Sequence, residues 1–484
     1  MLTATGLGSG LDIESLVTQL MAAERAPLEG RLLRQETEVT GLISGMGSFS
    51  GLLGTLDTAA TTLSSSSTYS KLAVSSDNEA AVAVTSITGG VAADYSVSVS
   101  NLAQSQSLVS GSFASTDTVV GTGTLTVALG TPSYSLSDPP EYSSFSQEGS
   151  GTDVVITSDN NTLAGLVSAI NDSPAGVNAS IVQDGSQYRL MISSSDSGVA
   201  KSIRLSVAGD GDSSDTDSAG LSALNFNETT ANLTQSQAAA DASFSVNGLA
   251  LTSSSNELTQ VIPGAKLVLK SQTSSPATVR LTNDVAAVKG EIESLVNAFN
   301  SFVTEASALT AYDPLTGSAG ALQGDSLSRS ILSNVRSQIS SSVSGMSTAY
   351  SALAEIGITT ASDGTLTIDS ATLDSALTTN FDDVKALFDG DGTTAGVADS
   401  VSSTLDTYLG LSGLITSRVS GLNEQIASIA IDRLELDRRM SLAEARYRQR
   451  FNTMDALLAQ ITSTGDYLTK QLDSLPGYDN LKKK

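Results

Sequence analysis

Three short motifs of the chain contain residue types that could bind phosphate, hydrolyse an ester or hold a metal ion. The first is Gly6-Leu7-Gly8-Ser9-Gly10, which has the composition of a phosphate-binding loop. Such a loop follows a strand and needs either a different glycine spacing or a lysine close behind. Only five residues precede Gly6, and the first basic residue is Arg25. The glycines therefore predict a hinge before the first helix, which Asp12 or Ser9 can cap.

The second motif, Gly324-Asp325-Ser326-Leu327, matches the four-residue signature of a large esterase family. Its serine would need a histidine base to become a nucleophile at neutral pH. The chain contains no His, so the motif does not predict a hydrolase. Asp325 and Ser326 instead predict the N-terminal cap of a helix.

The third motif is the acidic run from Gly209 to Asp217, which has the composition of a calcium loop. An EF-hand loop requires glycine at its sixth position and glutamate at its twelfth. Counted from Asp210, those positions hold Asp215 and Leu221, so we interpret the run as a solvated loop. The absence of Cys and His also excludes disulfides, thiol nucleophiles and most transition-metal sites. We expect neither an enzyme nor a bound cofactor or metal.

The charge of the chain restricts its partners. Its 484 residues carry 25 Lys and Arg against 51 Asp and Glu, a net charge of −26. Binding to nucleic acid or to an anionic membrane depends on neutralising phosphates, so we expect neither partner. No continuous apolar run approaches the roughly 18 residues of a membrane span, and no basic patch followed by an apolar core predicts a cleaved signal peptide.

Both ends of the chain show the alternating three- and four-residue apolar spacing of a coiled coil. The N-terminal seam is Leu28, Leu32, Val39, Leu42, Met46, Phe49, Leu53, Leu56, Ala60 and Leu63, with Gln35 in register. The C-terminal seam is Ile415, Val419, Leu422, Ile426, Ile429, Arg433, Leu436, Met440, Ala443 and Tyr447, followed after one extra four-residue step by Phe451, Met454, Leu458, Ile461, Gly465, Leu468, Leu472 and Leu475. Pro27 predicts a kink or break in the first helix.

A continuous helix over 415–475 would be about 90 Å long and could bury its seam only against other helices. We expect the N-terminal helix and further copies of the chain to supply that surface. Arg433 has two interpretations: its stem covers apolar surface, or it is a polar seam residue that sets register and copy number. The residues predicted to form the oligomer interface are Val39, Leu42, Met46, Leu422, Ile426, Ile429, Leu436, Met440, Leu458 and Ile461.

The middle of the chain alternates apolar and polar residues with the period of two that is typical of strands. The predicted strands include 95–99, 125–127, 154–156, 203–207, 244–246 and 267–269, and 162–171 is the best helix candidate. Residues 72–265 hold three basic residues against 19 acidic ones, a net charge of −16. From Asp284 helical spacing returns, with helices predicted over 285–309, 326–343 and 370–388 and a hairpin turn at Asp363-Gly364.

These patterns predict an α+β multidomain protein with terminal coiled-coil helices, a helical-bundle leg and β-rich head domains. The predicted terminal segment comprises 1–40 and 411–484, and the leg comprises 41–71 and 284–410. The inner head comprises 72–111 and 236–283. Residues 112–235 form an inserted outer head.

Several stretches, in their order along the chain, resemble the bacterial flagellar filament-capping proteins of the hook-associated protein 2 (FliD) family. The matching residues are Gly8 to Asp12, Leu16, Val17, Leu20, Met21, Glu24, Pro27, Leu28, Val246 to Gly248, Ser255, Asn256, Ile262 to Gly264, Leu267 to Leu269, Phe299, Asn300, Leu322 to Ser326, Ile356 to Ile358, Asp363 to Leu366, Arg448 to Phe451, Met454 and Asp455. Residues 163–171, 176–179 and 188–190 are similar to a small repeat found in flagellin and its relatives. The resemblance is strongest over 1–60 and 240–475.

The resemblance implies a secreted ring of identical subunits, most often a pentamer, at the distal tip of the flagellar filament. Such a ring promotes flagellin polymerisation, prevents loss of unpolymerised flagellin and thereby supports filament growth and motility. Flagellin and the proteins of the hook–filament junction are its implied partners. An alternative from a different class is a surface adhesin whose head domains bind host mucin or glycans.

Overall fold

A computed structural model of the chain describes residues 12–134, 142–211, 214–315, 317–345 and 348–474. The glycine motif at 6–10, Leu475 of the C-terminal seam and residues 212 and 213 of the acidic run lie outside the described residues. The helices are α1 (Ile13–Leu63), α2 (Ser66–Tyr69), α3 (Leu163–Asn171), α4 (Val285–Thr310), α5 (Ser326–Ser340), α6 (Ser370–Thr379), α7 (Phe381–Asp389), α8 (Val397–Leu409) and α9 (Leu414–Asp473).

The strands belong to short antiparallel sheets. They are β1 (Leu72–Ser76), β2 (Val82–Ser86), β3 (Ala93–Asn101), β4 (Ser107–Phe113), β5 (Gly123–Tyr134), β6 (Tyr142–Gln147), β7 (Thr152–Ile156), β8 (Val177–Asp184), β9 (Gln187–Ser194), β10 (Ser202–Ala208), β11 (Thr234–Gln237), β12 (Ala242–Val246), β13 (Leu249–Ser253), β14 (Glu257–Ile262), β15 (Ala265–Leu269), β16 (Ala277–Asn283), β17 (Tyr312–Asp313), β18 (Ser318–Ala319), β19 (Ile358–Thr360) and β20 (Leu366–Ile368). The α+β class predicted from the sequence is confirmed.

The chain forms two compact units. The helical unit comprises 1–66 and 288–484, and the β-rich unit comprises 67–287. The chain therefore leaves the first unit, builds the second and returns. The finer division into four domains stays a prediction.

The helical unit is organised around the C-terminal half of α1. Met46, Phe49, Leu53 and Leu56 on this helix are fully buried, one helical turn after another. The ring of Phe49 packs edge-on against Phe302 of α4, with 5.5 Å between the ring centroids. The N-terminal seam predicted from the sequence is therefore the face of α1 that packs into the core of a helical bundle.

Helix α1 runs through Pro27 without a break, so a break at this position was a wrong prediction. Proline removes one backbone N–H and leaves the carbonyl of Ala23 without its helical partner. Pro27 lies on the exposed side of the helix, where water can satisfy that carbonyl. The loss of one hydrogen bond is tolerated in a helix of 51 residues that is buried further along its length.

Among the described helices, α1 is the one that is long and apolar enough to cross a membrane by length and composition. The window that passes this test includes glycine and hydroxyl residues, which is why a search for a continuous apolar run does not find it. A core helix of a bundle meets the same criterion. The burial of Met46, Phe49 and Leu53 inside the helical unit makes that the simpler interpretation.

The β-rich unit contains two separate apolar cores. One core lies among the sheets β1-β16-β3-β12-β13 and β14-β15-β2, and it is built by residues from 72–103 and 242–281. The other core lies among α3, the sheet β11-β4-β9-β8 and the sheet in which β10 and β6 flank β5, with β7 also paired to β5. Its buried residues fall between 108 and 233. Helix α3 begins where the sequence predicts, with the Thr162 hydroxyl accepting from the N–H of Gly165.

Two helix predictions in the return segment need correction. The helix predicted over 370–388 is interrupted at Asn380, whose backbone is not helical and whose side-chain amide donates to the hydroxyl of Tyr350 at 3.0 Å. The helix predicted over 326–343 ends at Ser340. The predicted hairpin is present as β19 and β20, with Gly364 at a φ of 85° in its turn.

Asparagine side chains hold three loop or strand backbones by paired hydrogen bonds. In the helical unit, the amide nitrogen of Asn300 donates to the carbonyl of Leu366 at 2.9 Å, and its amide oxygen accepts from the N–H of Leu366 at 2.6 Å. Asn171 and Ala179 are paired in the same way, as are Asn256 and Ala103. Each amide satisfies both backbone hydrogen-bonding groups of its partner residue.

We expect Asn300→Ala to lower the free energy of unfolding of the helical unit by about 1–2 kcal/mol, because it leaves both backbone groups of the buried Leu366 without a partner. Denaturant unfolding followed by far-UV circular dichroism measures this change. Asn452→Ala, at an exposed position of α9, is the control and should stay within about 0.5 kcal/mol of the unsubstituted protein. Equal effects of the two substitutions would contradict the prediction.

Candidate assembly interface

The N- and C-terminal helices pair with each other in an antiparallel orientation. Three ion pairs between them show this, because residue numbers rise along α1 while they fall along α9. The pairs are Glu14 with Arg448, Arg25 with Asp437 at 2.7 Å, and Glu36 with Arg433 at 2.6 Å. The sequence correctly indicated the N-terminal helix as a partner of the C-terminal one.

The pair nearest the N-terminal end of α1 is a charged clasp. Both terminal nitrogens of Arg448 donate to the carboxylate of Glu14, and Arg448 also contacts Glu444 one turn earlier. The hydrogen bonds from Arg448 lower the pKa of Glu14, and the two carboxylates raise the pKa of Arg448. Both side chains are solvent-exposed or partly so, which limits the contribution of this clasp to stability.

Arg433 combines features of both interpretations drawn from the sequence. Its guanidinium pairs with Glu36 across the two helices, while 38% of its side chain is exposed. Its Nε is buried and has no hydrogen-bond partner within the described part of the chain. The ion pair joins two helices of one chain, so a role for Arg433 in setting copy number stays a prediction.

The predicted interface residues fall into three groups along this helix pair. Those buried within the chain are Val39, Met46, Leu422, Ile429, Leu436 and Met440. Those half-buried are Leu42, Ile426 and Leu458. Ile461 is 66% exposed. The structure thus covers the residues nearer the body within one copy, leaves Leu458 half-buried and leaves Ile461 exposed. The role of all ten residues between copies stays a prediction.

The seam of α9 continues beyond the end of α1. Helix α1 begins at Ile13, opposite Arg448, whereas α9 continues to Asp473. These further 25 residues extend for about 38 Å. Their exposed apolar side chains are Met454, Leu457, Ile461, Leu468 and Leu472. We call residues 451–472 the free seam.

A groove of about 340 Å³ lies between the two helices nearer the body of the helical unit. Its lining residues are Gln35, Glu38, Val39, Leu42, Gln425, Ser428, Ile429 and Asp432. Seam residues form its apolar part, and Glu38 and Asp432 contribute carboxylates. Of these apolar residues Val39 and Ile429 are buried and Leu42 is half-buried, so the groove exposes little apolar surface.

A buried carboxylate fixes the start of α9 to the body. The Asp325 side chain is 3% exposed, and one of its oxygens accepts from Arg418 of α9 at 3.1 Å. The other oxygen accepts from the N–H of Ser328 at 2.9 Å and from its hydroxyl at 3.0 Å. Burial by itself would raise the pKa of Asp325, but the Ser328 donors and Arg418 together lower it. The structure therefore bears out the helix cap that the sequence predicts at Asp325.

The same geometry shows that the esterase-like motif does not form a hydrolytic site. Ser326 is exposed in the first turn of α5, and Asp325 is already occupied by the cap and by Arg418. In the acidic run, Asp210 is buried and its carboxylate accepts from the hydroxyl of Ser222. Within the described residues, no group of three or more potential ligands is placed to hold a metal ion.

Comparison with known proteins identifies the family. The model described as "Flagellar hook-associated protein 2 C-terminus" matches residues 239–463, and the corresponding N-terminus model matches 9–106. Flagellar hook-associated protein 2 of Escherichia coli (strain K12) is 32% identical over 98% of both chains. This chain belongs to the flagellar hook-associated protein 2 family. The A-type flagellar hook-associated protein 2 of Pseudomonas aeruginosa is 31% identical, also over 98% of both chains.

A solved member of the hook-associated protein 2 family has the same fold over most of the chain. The crystal structure of the flagellar cap protein FliD D1-D2-D3 domains from Escherichia coli aligns with a TM-score of 0.60 and 31% identity, over 78% of this chain and 99% of that one. The flagellin hook IN motif matches residues 144–196. The family resemblance read from the sequence, including the flagellin-like repeat, is therefore confirmed.

The sequence did not reveal several residues that organise this chain. The partners of Glu14, Glu36 and Asp325 lie roughly 100 to 430 positions away along the chain. One signal was available: charged residues beside a coiled-coil seam commonly pair between helices. The seam predicts that such pairs exist but not which residues form them, since register depends on how two helices meet.

Proposed function

We propose that this chain is the cap of the flagellar filament, a homo-oligomeric ring at the distal tip that promotes flagellin polymerisation. The observation that carries the proposal is the free seam. The free seam extends for about 32 Å and exposes Met454, Leu457, Ile461, Leu468 and Leu472, and 98% of the chain aligns with hook-associated protein 2 of Escherichia coli. Such a surface requires a partner.

In this proposal the protein is secreted, acts outside the cell and holds unpolymerised flagellin at the growing end. Its copies form a ring, most often of five, and its other partners are flagellin and the proteins of the hook–filament junction. Leu458 and Ile461, the predicted interface residues that lie beyond the start of α1, make contacts between copies. The other predicted interface residues make equivalent contacts within one copy. The ring works by binding and exclusion rather than by catalysis, in keeping with a chain without His or Cys.

The adhesin alternative finds no support in the relatives described above, whose names refer to hook-associated and cap proteins. We therefore do not retain it. The domain layout inferred from the sequence fits the cap, with the terminal segment and leg directed at the filament. The two apolar cores of the β-rich unit fit an inner and an outer head.

The experiment replaces two free-seam residues by charge, in the variant Ile461→Glu/Leu468→Glu. Both side chains are more than half exposed, so the fold should be unaffected. Expressed in a flagellated strain that lacks its own cap gene, the variant should fail to support filaments and should leave flagellin monomer in the medium. Electron microscopy of cells and an immunoblot of the medium measure both.

Ser463→Glu is the matched control, because Ser463 is exposed on the opposite face of the same stretch of α9. It should support filaments as well as the unsubstituted chain does. Normal filaments with Ile461→Glu/Leu468→Glu, from a strain in which the unsubstituted chain is active, would refute the role of the free seam.

A further inference from the structure

The turn between β12 and β13 holds the one Asn-Gly sequence of the chain, Asn247-Gly248. Both residues have a positive φ, 49° at Asn247 and 82° at Gly248, as a two-residue hairpin turn requires. Both are exposed, so water reaches them. Because glycine has no side chain to hinder its backbone nitrogen, this pair also has the residues for a spontaneous modification, deamidation of the asparagine.

Deamidation at this pair needs only water. The backbone nitrogen of Gly248 donates its electron pair to Cγ of Asn247, and a carbon–nitrogen bond forms. The bond from Cγ to the amide nitrogen breaks, and the proton of the Gly248 nitrogen leaves with that nitrogen as ammonia. Water then opens the cyclic imide on either side. The product is aspartate or isoaspartate, and in isoaspartate the main chain passes through the former side-chain carbonyl.

The folded chain ties the Asn247 side chain to a neighbouring strand. Its amide oxygen accepts a hydrogen bond from the N–H of Ser96 at 2.8 Å, and its backbone N–H donates to the carbonyl of Ser96, also at 2.8 Å. Ser96 belongs to β3, whose pairing with β12 ends at Val97 and Val246. The side chain therefore extends this ladder by one residue. Closure of the imide ring would first have to break the bond between the amide oxygen and Ser96.

Isoaspartate is incompatible with this turn. The turn sets the register of β12 and β13, in which Val246 lies opposite Leu249 and Phe244 opposite Leu251. An extra main-chain carbon between the strands disturbs that register, and Phe244 is buried in the core that β12 helps to build. Aspartate, in contrast, leaves the main chain unchanged and keeps an oxygen that can accept from Ser96.

We infer that Asn247 is a deamidation site that reacts in the unfolded chain and is protected in the folded one. Asn247 and Ser96 are 151 positions apart, so the protecting bond forms only when the sheet has assembled. A chain that stays unfolded accumulates isoaspartate and loses the ability to complete the hairpin of β12 and β13. The site thus records the time the chain has spent unfolded. This inference goes beyond the proposed function and does not depend on it.

The first test compares the rate of deamidation in the folded and the unfolded full chain. Samples are incubated in buffer and in guanidinium chloride at the same mildly alkaline pH. Peptide mapping by mass spectrometry measures the aspartate and isoaspartate formed at position 247. The reaction should be slower in the folded chain by at least about tenfold, the factor that corresponds to opening one or two hydrogen bonds first. Equal rates in the two samples overturn the inference.

Glu148→Asn is the matched control, because it creates a second Asn-Gly pair at an exposed turn of the same unit. The side chain of Glu148 forms an exposed ion pair with Lys201 and does not bind a strand backbone. In the folded variant, position 148 should react close to its unfolded rate while position 247 stays protected. Equal protection of the two positions would mean that compactness, and not the bond with Ser96, slows the reaction. That result also overturns the inference.

The second test follows refolding after the reaction. Chain that has been held in guanidinium chloride and then refolded should contain a fraction that melts at least about 5 °C lower, and this fraction should carry the isoaspartate. Asn247→Asp is the control, since it adds the charge without altering the main chain, and it should melt within about 2 °C of the unsubstituted protein. Scanning calorimetry measures both. Isoaspartate-containing chain that melts like fresh chain overturns the inference.

Discussion

Phe302→Ala is expected to lower the free energy of unfolding of the helical unit by about 3–5 kcal/mol. Phe302 is completely buried and packs edge-to-face against Phe49, which joins α4 to the central helix α1. Truncation removes that ring contact and leaves a cavity between two helices that cannot move closer without disturbing their other neighbours. Few single changes elsewhere in the unit should cost as much.

Denaturant unfolding followed at 222 nm measures the effect, because the long helices dominate that signal and belong to the helical unit. Tyr312→Ala is the control, since this aromatic residue is 54% exposed in the short strand that follows α4. It should stay within about 0.5 kcal/mol of the unsubstituted protein. A comparable loss from both substitutions would mean that the Phe49–Phe302 contact is not the source of the stability.

Asp325→Ala is the second largest expected effect, a loss of about 2–3 kcal/mol at neutral pH. The substitution removes a helix cap, worth about 1 kcal/mol, and a charge-assisted hydrogen bond with Arg418, worth about 1.5–3 kcal/mol before overlap between the two. It also leaves the buried hydroxyl of Ser328 with the weakly accepting Met46 sulfur in place of a carboxylate oxygen. Thermal or denaturant unfolding measures the loss.

Asp369→Ala is the matched control, because Asp369 caps α6 through the N–H groups of Ala371 and Thr372 but is exposed and has no arginine partner among the residues that the structure describes. Its loss should be limited to the cap, about 1 kcal/mol. If both substitutions cost the same, the ion pair with Arg418 contributes nothing.

The pKa of Asp325 also gives this contribution a pH dependence. Its pKa is lowered in the folded chain, relative to an ordinary value of about 3.9. A lowered carboxyl pKa stabilises the fold at pH values above the unfolded pKa, and this stabilisation is lost as pH falls through the folded one. The difference in stability between the unsubstituted chain and Asp325→Ala should therefore be constant near neutrality and shrink below about pH 4. A difference that grew on acidification would contradict the assignment.

The long helices could be predicted from the sequence because their information is local and repeated. The seam from Ile415 onward predicted a helix over 415–475, and the structure has α9 over Leu414–Asp473. Each apolar residue on the stripe is an independent indication of the same period. The strand at Val97 and the cap at Thr162 were predictable for the same reason, since pattern and local hydrogen bonding agree there.

The wrong and missing predictions fall where a contact with a distant residue, or a weak local pattern, decides the secondary structure. Asn380 interrupts a helical pattern because its side chain binds Tyr350, 30 residues earlier, which no local signal encodes. Helix α8 was missed although Val401 and Leu405 follow helical spacing, because it follows a glycine-rich stretch and is bounded by Gly396 and Gly410. In the assembly site, the seam predicted which apolar residues of α1 and α9 form helix–helix contacts. It could not tell that Val39 and Leu436 are covered inside one copy while Ile461 is not.

The unbroken length of α9 makes it a lever arm. Its root is held by Arg418 on Asp325, and its 60 residues reach about 90 Å from end to end. Ion pairs hold α9 to α1 as far as Arg448, so the part that can tilt alone is the last stretch of about 38 Å. A tilt of about 15° at Arg448 would carry the far end through about 10 Å, close to the spacing between packed helices, without unwinding a turn.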